Sequence, residues 1–229
     1  MLERLRKALF PGKAVPVAAG GTVVALDDIA AWARDAGLDY TARENGGFVL
    51  SGRSSDVNWR LERAAPVRDF IHGFELRGRT EMGLNSDLAV LVMNRHLKEA
   101  LENRAFAEFT DTLRTVADAQ LPEEVRWLSM YEEVHLPDAP IGFHDMYAVL
   151  ADDSRHAYDW LNEAMATELM RWPPTAVNEQ TPVILMVLRG NVYLRMEAAR
   201  LDIDTLAQAC VLYPMACARA RAVLPHHLA

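Results

Sequence analysis

Asp152, His156, Asp159 and Glu163 recur at i, i+4, i+7 and i+11, a spacing that gathers them into one stripe if they share a helix. Imidazole beside carboxylates is a ligand set for zinc, manganese or iron, and a metal held there would serve metal-assisted hydrolysis. His135, His144 and Asp145 are potential neighbours, and Glu132-Glu133-x-His135 offers a similar grouping. One helix face presents only two well-placed ligands at a time, whereas a structural site needs three or four. The same stripe is also the solvated face opposite Trp160 and Leu161. The sequence therefore predicts no cofactor and no metal needed for folding. Asp152, His156, Asp159 and His144 are its metal candidates.

A second group with chemical potential is the polar face of a strand carrying Glu75, Arg77 and Arg79, with Arg60 on the strand before it. Arginines projecting from a rigid sheet can bind an anion. Glu62, Glu75 and Glu81 lie close by in sequence, so cross-strand ion pairs are expected there. His72, between Phe70 and Phe74, reads as a satisfied core histidine. The chain holds no Walker A loop, no G-x-G-x-x-G, no H-E-x-x-H, no G-x-S-x-G and no paired C-x-x-C. The adjacent glycines of "AAGGT" and "RENGGF" lack a phosphate-loop lysine. With no catalytic motif, the favoured reading is a binding protein. A metal-assisted hydrolase built from the acids and histidines of 132–163 is the alternative.

Charge separates the chain into unequal parts. Of a formal net charge of −8, residues 1–107 contribute 15 basic and 14 acidic side chains, residues 108–168 contribute 3 and 14, and residues 169–229 contribute 6 and 4. A negative field repels phosphates, which argues against nucleic acid. It would speed the encounter with a basic protein partner, so Asp152, Asp153 and Asp159 are binding candidates beside Arg77 and Arg79. No run of 18 apolar residues is present, which predicts no integral membrane insertion. Pro11, Pro16 and the Gly20-Gly21 pair interrupt the apolar stretch behind Arg4, Arg6 and Lys7, unlike a secretory signal. Cys210 and Cys217 are seven apart on a predicted helix, about 10 Å along its axis and beyond disulfide reach. Reduced thiols fit a cytoplasmic protein.

The elements that must position these residues follow from apolar period. Residues 2–10 form a basic amphipathic helix with Leu2, Leu5 and Leu9 on one face, and 11–21 a connector. Asp27 or Asp28 caps a helix to about Ala36 that Gly37 ends. Period-two alternation then marks strands at Phe48 and Leu50, and at Val57, Trp59 and Leu61, with a third from about Phe70. Leu88 to Met93 is a continuous apolar run and thus a deeply buried strand. Trp59, Leu61, Phe74 and Leu76 are expected on the covered face. Short connections between these strands imply an antiparallel meander. Helices follow over 95–104, around Leu113 and Val116, from Leu121-Pro122 onward, and over 155–171 with Ser154 as cap. A hairpin spans 183–197. A last helix, capped by Asp204 and kinked or split by Pro214, ends near Leu224. The fold class is α+β: an antiparallel β-meander with a C-terminal hairpin, packed against several helices. The divisions are 1–21, 22–107 (helix and sheet) and 108–229 (helices, hairpin and terminal helix), the last two packed as one unit.

Two stretches resemble the type III secretion chaperone-like fold: the helix 28–36 with "GLDYTARENGGFVLSG", and the strand pair "VILMVLRGNVYLRMEA" followed by "DTLAQACVLYPMACARA". The order helix–strands, then strand–turn–strand–helix, is similar to the two ends of that fold, with about 100 residues between them. The resemblance implies an acidic, chaperone-like homodimer that holds an extended segment of a client protein.

Overall fold

The computed structural model describes residues 25–54, 57–110, 123–172, 181–199 and 201–226. The expected helices at 2–10 and around Leu113, the connector 11–21 and the start at Leu121-Pro122 lie outside these residues. The helices are α1 (Leu26–Asp35), α2 (Arg95–Thr110), α3 (Glu123–Met130), α4 (Phe143–Met146), α5 (Ser154–Trp160), α6 (Glu163–Leu169) and α7 (Ile203–Val223). The strands are β1 (Asp39–Ala42), β2 (Phe48–Ser54), β3 (Val57–Ala64), β4 (Glu75–Glu81), β5 (Ala89–Asn94), β6 (Glu132–Glu133), β7 (Tyr147–Ala151), β8 (Val183–Leu188) and β9 (Asn191–Glu197). They join in one antiparallel sheet of order β1-β2-β3-β4-β9-β8-β5-β7-β6. The fold is mixed α+β with a β-meander.

The meander runs only through β1 to β4. The hairpin β8–β9 enters between β4 and β5, so the fourth and fifth strands are not neighbours. The apolar patterns explain this placement. β5, β7 and β8 are buried at every residue, because helices cover both faces of the sheet there. On one face Val90, Val92, Val149, Leu185 and Val187 join a core with α1, α5, α6 and α7. On the other, Leu91, Met93, Ala148, Leu150, Ile184, Met186 and Leu188 pack with Leu97 and Leu101 of α2 and Val125 and Trp127 of α3. β3 instead alternates, with Val57, Trp59 and Leu61 buried and Asn58 and Arg60 exposed, since only one of its faces is covered. Asn94 ends β5 buried, and its Oδ1 accepts from the Val183 amide at 3.1 Å.

Trp59, Leu61 and Leu76 lie on the covered face as expected, with Phe74 partly buried against the same core. The strand placed near Phe70 begins only at Glu75, and Phe70 and Ile71 turn to the opposite core. Gly78 of β4 faces Tyr213 of α7: a Cβ at this position would lie 2.6 Å from the ring. The bare backbone lets Tyr213 reach Thr80 Oγ1 (2.9 Å) and donate to the Val192 carbonyl (3.2 Å).

Several helix ends differ from expectation. Ala25, not Asp27 or Asp28, precedes α1; both acids sit in its first turn, where the helix dipole favours them. Asp153 caps α5 in place of Ser154, and Asp202 caps α7 in place of Asp204. Pro214 does not split α7. Leu212, Tyr213, Ala216 and Cys217 around it are all buried, and this packing outweighs the hydrogen bond that proline removes. The helix expected over 155–171 is broken at Leu161. There the backbone leaves helical geometry, and Asn162 restarts the chain as cap of α6 by accepting from the Met165 amide at 3.1 Å. Cys210 and Cys217 are both free on α7, with burial pushing their thiols up to about 12 and about 11. Among the described residues no helix is long and apolar enough to cross a membrane.

Candidate functional site

The break at Leu161 undoes the proposed metal stripe, because Glu163 opens a new helix rather than continuing the old one. What remains is a pair: His156 Nδ1 lies 3.2 Å from both oxygens of Asp152. Asp152 Oδ1 also accepts from the Ala89 amide at 3.1 Å, tying the turn between β7 and α5 to the start of β5. Asp153 accepts from the Arg155 amide and guanidinium, which hold its carboxyl down at about 2. The backbone carbonyl of Asp159 receives the Arg219 guanidinium. His144 lies on α4, stacked on His135 at 4.0 Å between ring centres. Among the described residues no three His, Cys, Asp or Glu side chains are grouped to hold a metal ion.

His144 has a structural task. Its Nε2 lies 3.1 Å from the Leu136 amide and 3.3 Å from the Leu136 carbonyl, accepting from the first when unprotonated and donating to the second when protonated. Burial holds this imidazole below its usual range, outweighing the opposing pull of the Leu136 backbone hydrogen bond, and His135 and Arg95 push with burial. A lowered histidine pKa means that the unfolded chain binds the proton more readily. Stability is then complete above the unfolded value of about 6.5 and falls as pH drops below it. The expected result is a urea midpoint that declines as pH falls below about 6.5, with the decline weakened in His144→Gln. An unchanged decline in the variant would assign it to other groups.

Arg77 and Arg79 are brought into a much larger arrangement. Register places Arg60 and Glu62 of β3, Arg77 and Arg79 of β4, and Arg195 and Tyr193 of β9 on one face. It is the same face that α2 and α3 cover over β5, β7 and β8, but the cover ends at α3. The step between α3 and the bare strands forms a cleft of about 520 Å³. Its floor and rim carry Arg60, Arg68, Arg77, Arg79, Arg189 and Arg195, against Glu62 and Glu123; its inner wall is apolar, with Trp127, Met186 and Leu188.

Ion pairs hold this floor together; the expected cross-strand pairing is seen for Glu62 with Arg77, whereas Arg60–Glu62 and Arg79–Glu81 lie within one strand. Glu62 meets Arg77 at 3.2 Å and Arg60 at 3.6 Å, and Glu81 meets Arg79 at 3.3 Å. Arg77 stands directly opposite Arg195, and Glu75 directly opposite Glu197, both unfavourable like-charge pairings. The offset resolves them. Glu75, fully buried, pairs with Arg195 and accepts from the Val67 amide at 3.0 Å. Burial raises the Glu197 carboxyl above its usual range, although the His72 amide donates to it at 2.8 Å. The α3 wall contributes Glu123 and Glu124. Arg68 lies 3.1 Å from the first and 2.7 Å from the second, and Arg189 lies 2.8 Å from Glu123. Glu124 is buried.

Three arginine side chains reach solvent at the rim: Arg60 (52% exposed), Arg79 (61%) and Arg189 (67%). Surface pairs of this kind contribute about 0–1 kcal/mol, so an incoming anion can displace them. Sequence reasoning found Arg60, Arg77 and Arg79 from strand alternation. It missed Arg68, Arg189, Arg195 and Glu123, which converge only because the hairpin β8–β9 inserts beside β4.

No protein-family profile matches the chain, and no curated protein matches it. It is similar to one solved structure, the crystal structure of the mycobacterial trehalose monomycolate transport factor A, TtfA, with 11% identity over 87% of this chain and 96% of that chain. The TM-score is 0.46.

Proposed function

We propose that the protein is a binding module for a protein partner and that the arginine cleft beside α3 docks an acidic segment of that partner. The observation that carries this is the collection of six arginines around one cleft in a chain whose net charge is −8. Arginine forks recognise carboxylates through paired, charge-assisted hydrogen bonds, and the apolar wall of Trp127, Met186 and Leu188 suits side chains between the acids. Glutamates interleaved with the arginines disfavour the continuous charge of a nucleic acid, whereas discrete carboxylates on a peptide can be spaced to avoid them. The chaperone-like resemblance, with its extended client, its homodimer and its cytoplasmic setting, belongs to the same proposal.

The test is fluorescence anisotropy with a labelled Asp/Glu-rich decapeptide, a Lys-rich decapeptide and inorganic phosphate as competitors. Binding of the acidic peptide should weaken with salt. It should fall by about tenfold or more in Arg60→Ser/Arg79→Ser, since each lost charge-assisted bond contributes about 1.5 kcal/mol or more. Both side chains are more than half exposed, so folding should be retained. Absence of acidic-peptide binding to the parent protein at low salt would overturn the reading. Equal binding of the basic peptide would do so too.

A further inference from the structure

Arg189 and Gly190 form the two-residue turn between β8 and β9, with φ of +50° and +77°. A turn needing positive φ at both central positions favours Asn, Asp or Gly at the first, because a Cβ with a long side chain is strained there. Asn45 is the one other non-glycine residue with positive φ among the described residues, and asparagine tolerates that conformation. The Asn191 side chain steadies the turn by donating to the Arg189 carbonyl at 2.7 Å. The strained residue does not stabilise the fold through its side chain to any large extent. It is 67% exposed and meets Glu123 at 2.8 Å across the mouth of the cleft, and exposed pairs contribute little. An arginine at a position that disfavours it, aimed over an arginine-lined cleft, is better explained by binding than by folding.

We infer that Arg189 is the capturing arm of the cleft: it rests on Glu123 in the free protein and transfers to a carboxylate of the partner when one enters. This rests on the reading of the cleft as a site for an acidic segment. Glu123 stands in for the ligand, and it keeps its bond to Arg68 (3.1 Å) when Arg189 leaves. The exchange trades one carboxylate for another on the same guanidinium and moves no proton.

Two variants test this with the labelled acidic decapeptide. Arg189→Asn relieves the turn and removes the arm, so its Tm should equal or exceed that of the parent while peptide affinity falls about tenfold with a weaker salt dependence. Glu123→Gln removes the internal competitor, so affinity should rise severalfold. If the parent binds the peptide and Arg189→Asn binds it equally well, the capturing role is wrong and the cleft reading stands. A drop in Tm with affinity unchanged would make Arg189 a structural residue. Unaltered affinity in Glu123→Gln would overturn the competition. If the parent protein does not bind the peptide at all, the cleft reading fails and this inference fails with it.

Discussion

Trp160→Ala is expected to destabilise the protein by about 3–5 kcal/mol, lowering Tm by about 10 °C for a chain of this size. Trp160 ends α5 fully buried, among the largest such side chains in the core. Truncation leaves a cavity where α5 meets α7. It also removes a buried hydrogen bond, which the indole Nε1 donates to the Ala216 carbonyl at 3.0 Å inside the interface. The loss has a further route. The Trp160 carbonyl receives Arg219 Nε at 2.8 Å, and this bond depends on the helix end staying in place. Trp160→Phe should lose less, since most of the volume remains and only the donor is gone. Thermal unfolding followed by circular dichroism is the measurement. A Tm for Trp160→Ala within about 2 °C of the parent, equivalent to roughly 1 kcal/mol or less, would disprove the α5–α7 contact.

Glu75→Ala is expected to cost about 3 kcal/mol or more, because it leaves Arg195 without its carboxylate in a nearly closed environment. The Glu75 side chain is wholly buried and that of Arg195 is 14% exposed. The variant also orphans the Val67 amide, which Glu75 accepts at 3.0 Å. A buried pair gains little over apolar groups of similar volume, while a broken one is costly. The double variant Glu75→Leu/Arg195→Met should therefore recover most of the loss, and the coupling read from the cycle should be large. Urea unfolding of Glu75→Leu, Arg195→Met and the double variant decides the matter. Additive single losses would show that the pair is not coupled. The same cycle bears on the cleft, since removing Glu75 alone frees Arg195 beneath the floor and should strengthen acidic-peptide binding in whatever fraction stays folded.

Much of the architecture was legible from period and turn chemistry. The alternation of Val57, Trp59 and Leu61 described a strand covered on one face, and that open face is the floor of the cleft. The continuous apolar run from Leu88 to Met93 described a deeply buried strand, while 183–188 read only as one arm of a hairpin and is buried at every residue in the structure. The Arg189-Gly190 turn, the free cysteines on one helix and the ion pairing of Arg77 and Arg79 were likewise readable, because each depends on residues near one another in sequence. Asn162 was a readable cap as well. The apolar stripe of Trp160, Leu161 and Met165 runs past it without a gap, which predicts one helix over 155–171. Apolar spacing alone does not register a one-residue departure from helical geometry.

What the sequence by itself determined is therefore local: which segments are strands or helices, which faces are apolar, and that strand arginines stand among acids. Only the tertiary structure decided that the hairpin β8–β9 sits between β4 and β5. That single insertion sets Arg195 opposite Arg77, carries Arg189 to Glu123, and ends the helical cover at α3 so that a cleft remains. The physical reason is that strand order in an antiparallel sheet comes from the joint burial of both faces by helices distant in sequence. No local pattern of charge or period records which strands will become neighbours.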